Sequence, residues 1–379
     1  MKKIGIVTSS KELNYGAILQ ACALQNFIGG LGYKGELLWW DNQTKSHHDF
    51  RIRKVLSMAK TGILHPSLIY KTLNIYGHAM NKEFSQNSKN MFEEFEIKNL
   101  CIRYCSYAGM KEYATSEEVL ALVCGSDQIW NSHALYIDPF YYLRFAPKSK
   151  RIAYAPSLGK STIPDYNRRK MNRYISEIPY LSVREHSGQV LLEELTGRKV
   201  KNVCDPSFLL NRSEWQKFEN SLNLDEEYLL LYFLDETAEP TKRQIRQIAK
   251  ELGIRVYCLP YMFDFGIDTK LIHAGPAEFL YLIANAKMIL TDSFHGTAFS
   301  VNFQKPFLTF ARQYGSNEKQ ESRLLDLLRL VGLENRYVAD AARFSTDEIM
   351  KPYDTTKLRK HVEESKAFLV DSINGVKKG

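Results

Sequence analysis

The strongest constraint on this chain is a rhythm. Short apolar runs of strand length alternate with segments whose apolar residues recur at helical spacing. Residues 3–9 (Lys-Ile-Gly-Ile-Val-Thr-Ser) read as a strand, residues 17–28 as a helix carrying Ile18, Cys22, Leu24 and Phe27 on one side, and residues 34–40 as a second strand. Gly29, Gly30 and Gly32 punctuate the passage between them. This is the β-α-β opening of a doubly wound sheet. The alternation resumes at residues 119–124, 151–155, 180–183 and 200–203. It starts afresh at 228–234, continues through a helix at 241–252, a strand at 255–259 and a helix at 277–286, and reaches the run Met288-Ile289-Leu290. A helix at 321–331 and an amphipathic helix at 355–373 close the chain.

At 379 residues the chain exceeds one comfortable core and suits two. The reading divides it into residues 1–215, an N-terminal Rossmann-like domain, 216–350, a C-terminal Rossmann-like domain, and 351–379, a helix returning to the first domain. Residues 45–112 are polar with weak periodicity and read as a helical insertion in the first domain. Between Lys45 and Lys82 seven Lys or Arg face one acid, Asp49. A solvated face explains that balance, and so does a basic surface resting on anionic lipid.

Six cysteines, at 22, 101, 105, 124, 204 and 258, lack the paired spacing of a zinc site and suit a reducing compartment. The Lys2-Lys3 start has no apolar core of a secretory signal behind it, and no run is long enough to cross a bilayer. The expectation is a cytoplasmic protein, with peripheral contact at the inner face of the plasma membrane as the extension. The net charge of +8 favours an anionic partner. No zinc finger, RNP-type aromatic motif or Lys/Arg block points to nucleic acid. P-loop, G-x-S-x-G and H-E-x-x-H patterns are absent from the sequence, and no metal site is expected.

Open α/β sheets bind ligands at the carboxyl ends of their strands. The unusual polar residues fall at such ends: Gly125-Ser126-Asp127, Arg184-Glu185, Asp205, and Thr291-Asp292-Ser293-Phe294-His295-Gly296. A helix N-terminus there offers free N–H groups and a positive dipole end to an anion. Several of these residues also suit ordinary roles: Asp292 or Ser293 as a helix cap, Asp127 as a turn former, Arg184 as an ion-pair partner of Glu185. Lys305, Arg312 and Arg323 are further cations near the second crevice, and solvated surface charges are the plain alternative for them.

The stretches NYGAILQACALQ, VCGSDQIWN, YLSVREHSG, VCDPSFLL and TDSFHGTAFSVNFQKPF, taken in order, resemble the polysaccharide pyruvyl transferase family. The resemblance implies two Rossmann-like domains facing across a cleft, similar to GT-B glycosyltransferases. It implies transfer of the pyruvyl group of phosphoenolpyruvate onto two hydroxyls of a sugar, in a surface or capsular polysaccharide or its lipid-linked precursor, with release of phosphate. No cofactor is implied beyond phosphoenolpyruvate as co-substrate. On this reading His295 and Asp292 are catalytic, His295 moving a proton and Asp292 orienting it or acting as a second acid or base. Arg184, Ser293, Gly296, Asp127, Ser126, Asn14, Tyr15, Lys305, Arg312 and Arg323 line the substrate site. The chain departs from the family pattern before the histidine. Better-studied members carry an Arg there, whereas this chain reads Ser293-Phe294-His295. A contact to the donor's phosphate or carboxylate must then come from another cation, or the donor differs. The alternatives are a nucleotide-sugar glycosyltransferase of GT-B type and a non-catalytic member of a glycan-assembly complex.

Overall fold

The computed structural model describes residues 1–9, 13–40, 55–56, 58–63, 84–224, 226–312, 322–339 and 345–378. They form two all-parallel sheets. The first contains β1 (Lys3–Val7), β2 (Lys34–Trp40), β3 (Ile102–Cys105), β4 (Val119–Cys124), β5 (Arg151–Ala153), β6 (Tyr180–Val183) and β7 (Lys201–Asn202), in the order β3-β2-β1-β4-β5-β6-β7. The second contains β8 (Tyr228–Phe233), β9 (Arg255–Pro260), β10 (Lys270–Leu271), β11 (Met288–Thr291), β12 (Phe307–Phe310) and β13 (Tyr337–Val338), in the order β10-β9-β8-β11-β12-β13. Both follow the doubly wound order 3-2-1-4-5-6, so each reverses direction beside its first strand. The strands read as continuous apolar runs because helices cover both faces of a parallel sheet. All six residues of β8 and all four of β11 are buried.

The helix Tyr15–Gly30 is more deeply placed than an amphipathic stripe implies. Residues 15–24 are buried without a break. The first sheet covers one side, and helices of the second half cover the other. Tyr15 is the clearest joint. Its ring stacks on Phe279 at 4.7 Å between centroids and lies edge-on to Tyr232 at 5.8 Å. Its hydroxyl donates to Ala274 O at 3.0 Å. One apolar cluster therefore runs from Ile4 and Ile6 of the first sheet to Leu230 and Leu259 of the second.

The stretch 45–112 departs from the expected insertion over its described C-terminal part. The helix Gln86–Asn99 buries Phe92 and Phe95, and β3 completes the edge of the first sheet beside β2. Residues 41–54, 57 and 64–83 lie outside the described residues, so most of the basic stretch 45–82 does too. The final helix, Thr356–Lys378, meets the first half where Cys204 N donates to Ser365 Oγ at 2.9 Å and Lys201 faces Glu364 at 3.5 Å. Among the described residues no helix is long and apolar enough to cross a membrane.

Candidate active site

The carboxyl ends of the two sheets face each other, and buried polar groups collect between them. Arg184 follows β6, Asp205 follows β7, and Ser126 follows β4. Arg184 Nη1 donates to Asp205 Oδ2 at 2.5 Å and to Ser126 Oγ at 3.3 Å. Ser126 Oγ has a single proton and two acceptors in reach, Asp205 Oδ2 at 3.0 Å and Ala155 O at 2.9 Å. Asp205 Oδ1 takes the N–H of Ser207 at 2.9 Å. Burial works to raise the Asp205 carboxyl. The His295 ring, the Arg184 guanidinium and the Ser207 N–H outweigh it and hold the group well below the usual carboxylate range. Burial likewise acts to lower Arg184, and Asp205, Glu185 and Asp127 reverse the effect and raise it.

His295 enters from the second half. It lies in the first turn of the helix Phe294–Asn302, which Ser293 caps by accepting the N–H of Gly296 at 3.4 Å. The helix seats tightly because residue 296 lacks a side chain: a Cβ there would stand 2.4 Å from Thr291 Oγ1. His295 crosses the crevice and rests on the start of the helix Tyr15–Gly30. A Cβ on Gly16 would fall 1.9 Å from its Nδ1, so only glycine permits the approach. On the other side of the ring, His295 Nε2 stands 3.8 Å from Asp205 Oδ2. That is an ion-pair separation and too long for a hydrogen bond, and the buried Nε2 has no hydrogen-bond partner among the described residues.

Two guanidiniums attend the Phe294 ring. Arg184 Cζ lies 4.3 Å from the ring centre and Arg323 Cζ 5.6 Å. The Gln128 amide, oriented with its oxygen toward Arg323, accepts from Nη1 at 2.7 Å and Nη2 at 3.1 Å. Arg184, Glu185, Asp205, Phe294 and Arg323 line a cavity of about 350 Å³ that continues to His361 of the final helix. Arg184 Nε and Nη2 have no hydrogen-bond partner among the described residues. Glu185 receives the Ser157 hydroxyl. Burial pushes its carboxyl up, against the pull of Arg184, Ser157 and Arg323.

The structure thus brings Arg184, Ser126 and His295 together around Asp205, with Arg323 by the Phe294 ring, and gives most of the other expected residues pairing, capping or packing roles. Asp292 does not orient His295. Its Oδ1 accepts Leu234 N at 2.8 Å, and its Oδ2 accepts Asp235 N at 3.1 Å and faces Arg312 Nε at 3.1 Å. Burial raises its carboxyl against the pull of Arg312. Arg312 is the partner in that pair and also donates to Asp292 O at 3.1 Å. Tyr15 is a buried joint between the halves, and Asn14 caps the helix behind it by accepting Ala17 N at 3.2 Å. Gly296 serves packing, and Ser293 capping. Asp127 adopts φ +57 in the turn after β4, its carbonyl accepting Ser157 N at 2.9 Å. Lys305 precedes β12 and so lies at the end of that strand opposite the crevice; burial and Arg212 lower its ammonium. Asp205 and Gln128 are the residues whose roles the sequence did not reveal. Asp205 stood out only as a strand-end acid, and its partners lie 21, 79 and 90 positions away in the chain.

Two doubly wound halves, joined by a shared core and facing across a crevice of buried cations and a histidine, define a two-sheet α/β protein. The chain belongs to the polysaccharide pyruvyl transferase family, whose model matches residues 14–314. No curated protein matches it. Solved structures of similar fold include the UDP-GlcNAc 2-epimerase of Neisseria meningitidis bound to UDP-GlcNAc, at 10% identity over 98% of this chain and 99% of that one, TM-score 0.47. They include Arabidopsis thaliana UGT89C1 complexed with UDP-L-rhamnose, at 10% identity over 99% of both, TM-score 0.49. The UDP-GlcNAc 2-epimerase of Methanocaldococcus jannaschii matches at 15% identity over 96% of this chain and 92% of that one, TM-score 0.49. These likenesses concern overall fold only, and nothing about the reaction follows from them.

Proposed function

We propose that the chain transfers the pyruvyl group of phosphoenolpyruvate to two hydroxyls of a glycan, or of its lipid-linked precursor, forming a pyruvate ketal. Family membership supports the reaction class. The observation that carries the donor is Arg184, a buried guanidinium on the wall of a 350 Å³ cavity, whose Nε and Nη2 have no hydrogen-bond partner among the described residues, Nε only facing Glu185 Oε1 at 3.8 Å. An anion with a carboxylate and a phosphate satisfies such donors in the manner of charge-assisted hydrogen bonds. Arg323, held by Gln128, is the second cation and would supply the contact of the Arg expected shortly before His295.

The chemistry needs one proton delivered to the methylene carbon of the donor. The carbon that bears phosphate then becomes electrophilic and accepts a sugar hydroxyl, which gives up its proton. The carbon–oxygen bond to phosphate breaks, and phosphate leaves with the bonding pair. The second hydroxyl closes the ring and gives up its proton as well. Of the two hydroxyl protons, one balances the proton delivered to carbon and the other leaves with phosphate. A histidine suits such proton traffic at cell pH. His295, at the mouth of the helix Tyr15–Gly30, is the residue assigned to it. The basic stretch 45–82 would hold the chain against an anionic membrane where a lipid-linked acceptor is presented.

The test is thermal unfolding with phosphoenolpyruvate against pyruvate, phosphate and UDP, on the wild type and Arg184→Ala. A native-state ligand at a hundredfold excess over its dissociation constant adds about 2.7 kcal/mol. Stabilisation specific to phosphoenolpyruvate and lost in Arg184→Ala is the expected result. Stabilisation by UDP alone would replace the reading with a nucleotide-sugar glycosyltransferase.

A further inference from the structure

His295 offers two ring nitrogens, and their surroundings differ. Nδ1 lies over Gly16 at the first turn of the helix Tyr15–Gly30, where backbone N–H groups and the positive dipole end favour an anionic substrate. Nε2 is buried, has no hydrogen-bond partner among the described residues, and stands 3.8 Å from Asp205 Oδ2. A buried ring nitrogen left unpaired is unfavourable, so a small movement that closes this gap is favoured. Asp205 has the capacity to receive it. Its side chain is fully buried, and its Oδ1 is taken by Ser207 N–H. At Oδ2 Arg184 is the fixed donor, while the Ser126 hydroxyl has Ala155 O as an alternative acceptor. When Ser126 turns to Ala155, Oδ2 has a lone pair for the histidine.

We infer that Asp205 is a positioning residue for His295: its carboxylate accepts the Nε2–H across the crevice and leaves Nδ1, above Gly16, as the nitrogen that moves the proton. The carboxylate stays ionised for this purpose, since its neighbours hold it well below the usual carboxylate range. The arrangement places the acid on the first half and the imidazole on the second, so the proton-transfer group is complete only where both halves meet. The assignment of a proton-transfer role to His295 rests on the pyruvyl-transfer reading. The contact between Asp205 and the ring does not.

The experiment is NMR on protein labelled with 15N-histidine. The expected result is a downfield exchangeable proton bonded to a side-chain Nε2 and protected from water. It is present in the wild type, absent in His295→Gln, and lost or shifted upfield in Asp205→Asn. Ser126→Ala frees Oδ2 and should sharpen the same signal. A His295 proton found on Nδ1, or an Nε2 proton unchanged by Asp205→Asn, overturns the inference. The wild type and His295→Gln alone decide which nitrogen bears the proton, should Asp205→Asn fail to fold. In turnover with phosphoenolpyruvate and a glycan acceptor, Asp205→Asn should lower kcat by about 100-fold without raising KM for phosphoenolpyruvate, and Asp205→Glu should restore part of it. A raised KM with kcat unchanged would mean that Asp205 merely holds Arg184, and would also overturn the inference. A wild type that binds no phosphoenolpyruvate would sink the pyruvyl-transfer reading while the proton signal still tests the contact.

Discussion

At the switch point of the first sheet, between β1 and β4, the crevice is bridged by neutral groups. Gln20 Nε2 donates to Thr8 Oγ1 at 2.8 Å, and Gln20 Oε1 accepts Ser126 N at 3.2 Å. The Ser126 hydroxyl is left to meet Asp205 and Arg184. At the switch point of the second sheet, between β8 and β11, a carboxylate closes the crevice. Asp292 draws in two backbone N–H groups from the end of β8 and pairs with Arg312. The strand order is shared, yet one crevice keeps a charged cluster open to a ligand and the other consumes its charge in holding itself shut. The second half contributes the proposed proton-transfer group one turn later, at His295. Topology names the place where a site can form, and the hydrogen-bond ledger of each residue decides whether one does.

The sharpest way to break this comparison is to remove the reactive group. His295→Gln should lower kcat by about 10²–10⁴-fold while stability changes little, measured as phosphate release beside an unfolding curve. Equal losses in Asp292→Asn would mean that the second crevice is as active as the first. Asp292→Ala should instead destabilise by about 3 kcal/mol in urea unfolding, because two part-buried donors and a guanidinium lose their acceptor. Stabilisation by phosphoenolpyruvate should survive it. Gly16→Ala should cost about 1–3 kcal/mol through overpacking against the His295 ring, and should displace that ring, so activity falls along with stability.

The smallest effect concerns pH. The Glu185 carboxyl is raised in the fold, so its ionisation costs stability as pH climbs from the unfolded value of about 4.3 through the folded one. Glu185→Gln should therefore raise the melting temperature over wild type at pH 8 and leave it near wild type at pH 4. Asp205 has the opposite sign. It is depressed, so its contribution is present above the unfolded value of about 3.9 and is lost only as pH falls through the folded one.

The sequence made the central strands plain, since β4 and β8 are unbroken runs of apolar residues. β3 was not legible. As an edge strand it has only four residues, Ile-Arg-Tyr-Cys, of which Cys105 alone is buried, and its apolar signal is too weak to stand out. The helix Gln86–Asn99 buries only Ser88, Phe92 and Phe95 among polar neighbours, and so it read as part of an insertion. For the site, strand-end position singled out Arg184, Ser126 and His295. It could not separate Asp292 from Asp205, because the direction in which an acid turns depends on which N–H groups lie nearby in space. The histidine's neighbour came from the other half of the chain, 90 residues earlier, and one sequence carries no trace of that pairing.

The aromatic joint at Tyr15 reaches beyond the site. A ring stacked on Phe279 and a hydroxyl tied to Ala274 bolt the mouth of the crevice at the width it already has. A jaw so fastened has little travel. A ligand of the proposed kind would meet donors that are already in place, the entropy of arranging them having been spent when the chain folded. Small-angle scattering should then give the same radius of gyration with and without phosphoenolpyruvate, and selectivity would rest on fit to a standing mould.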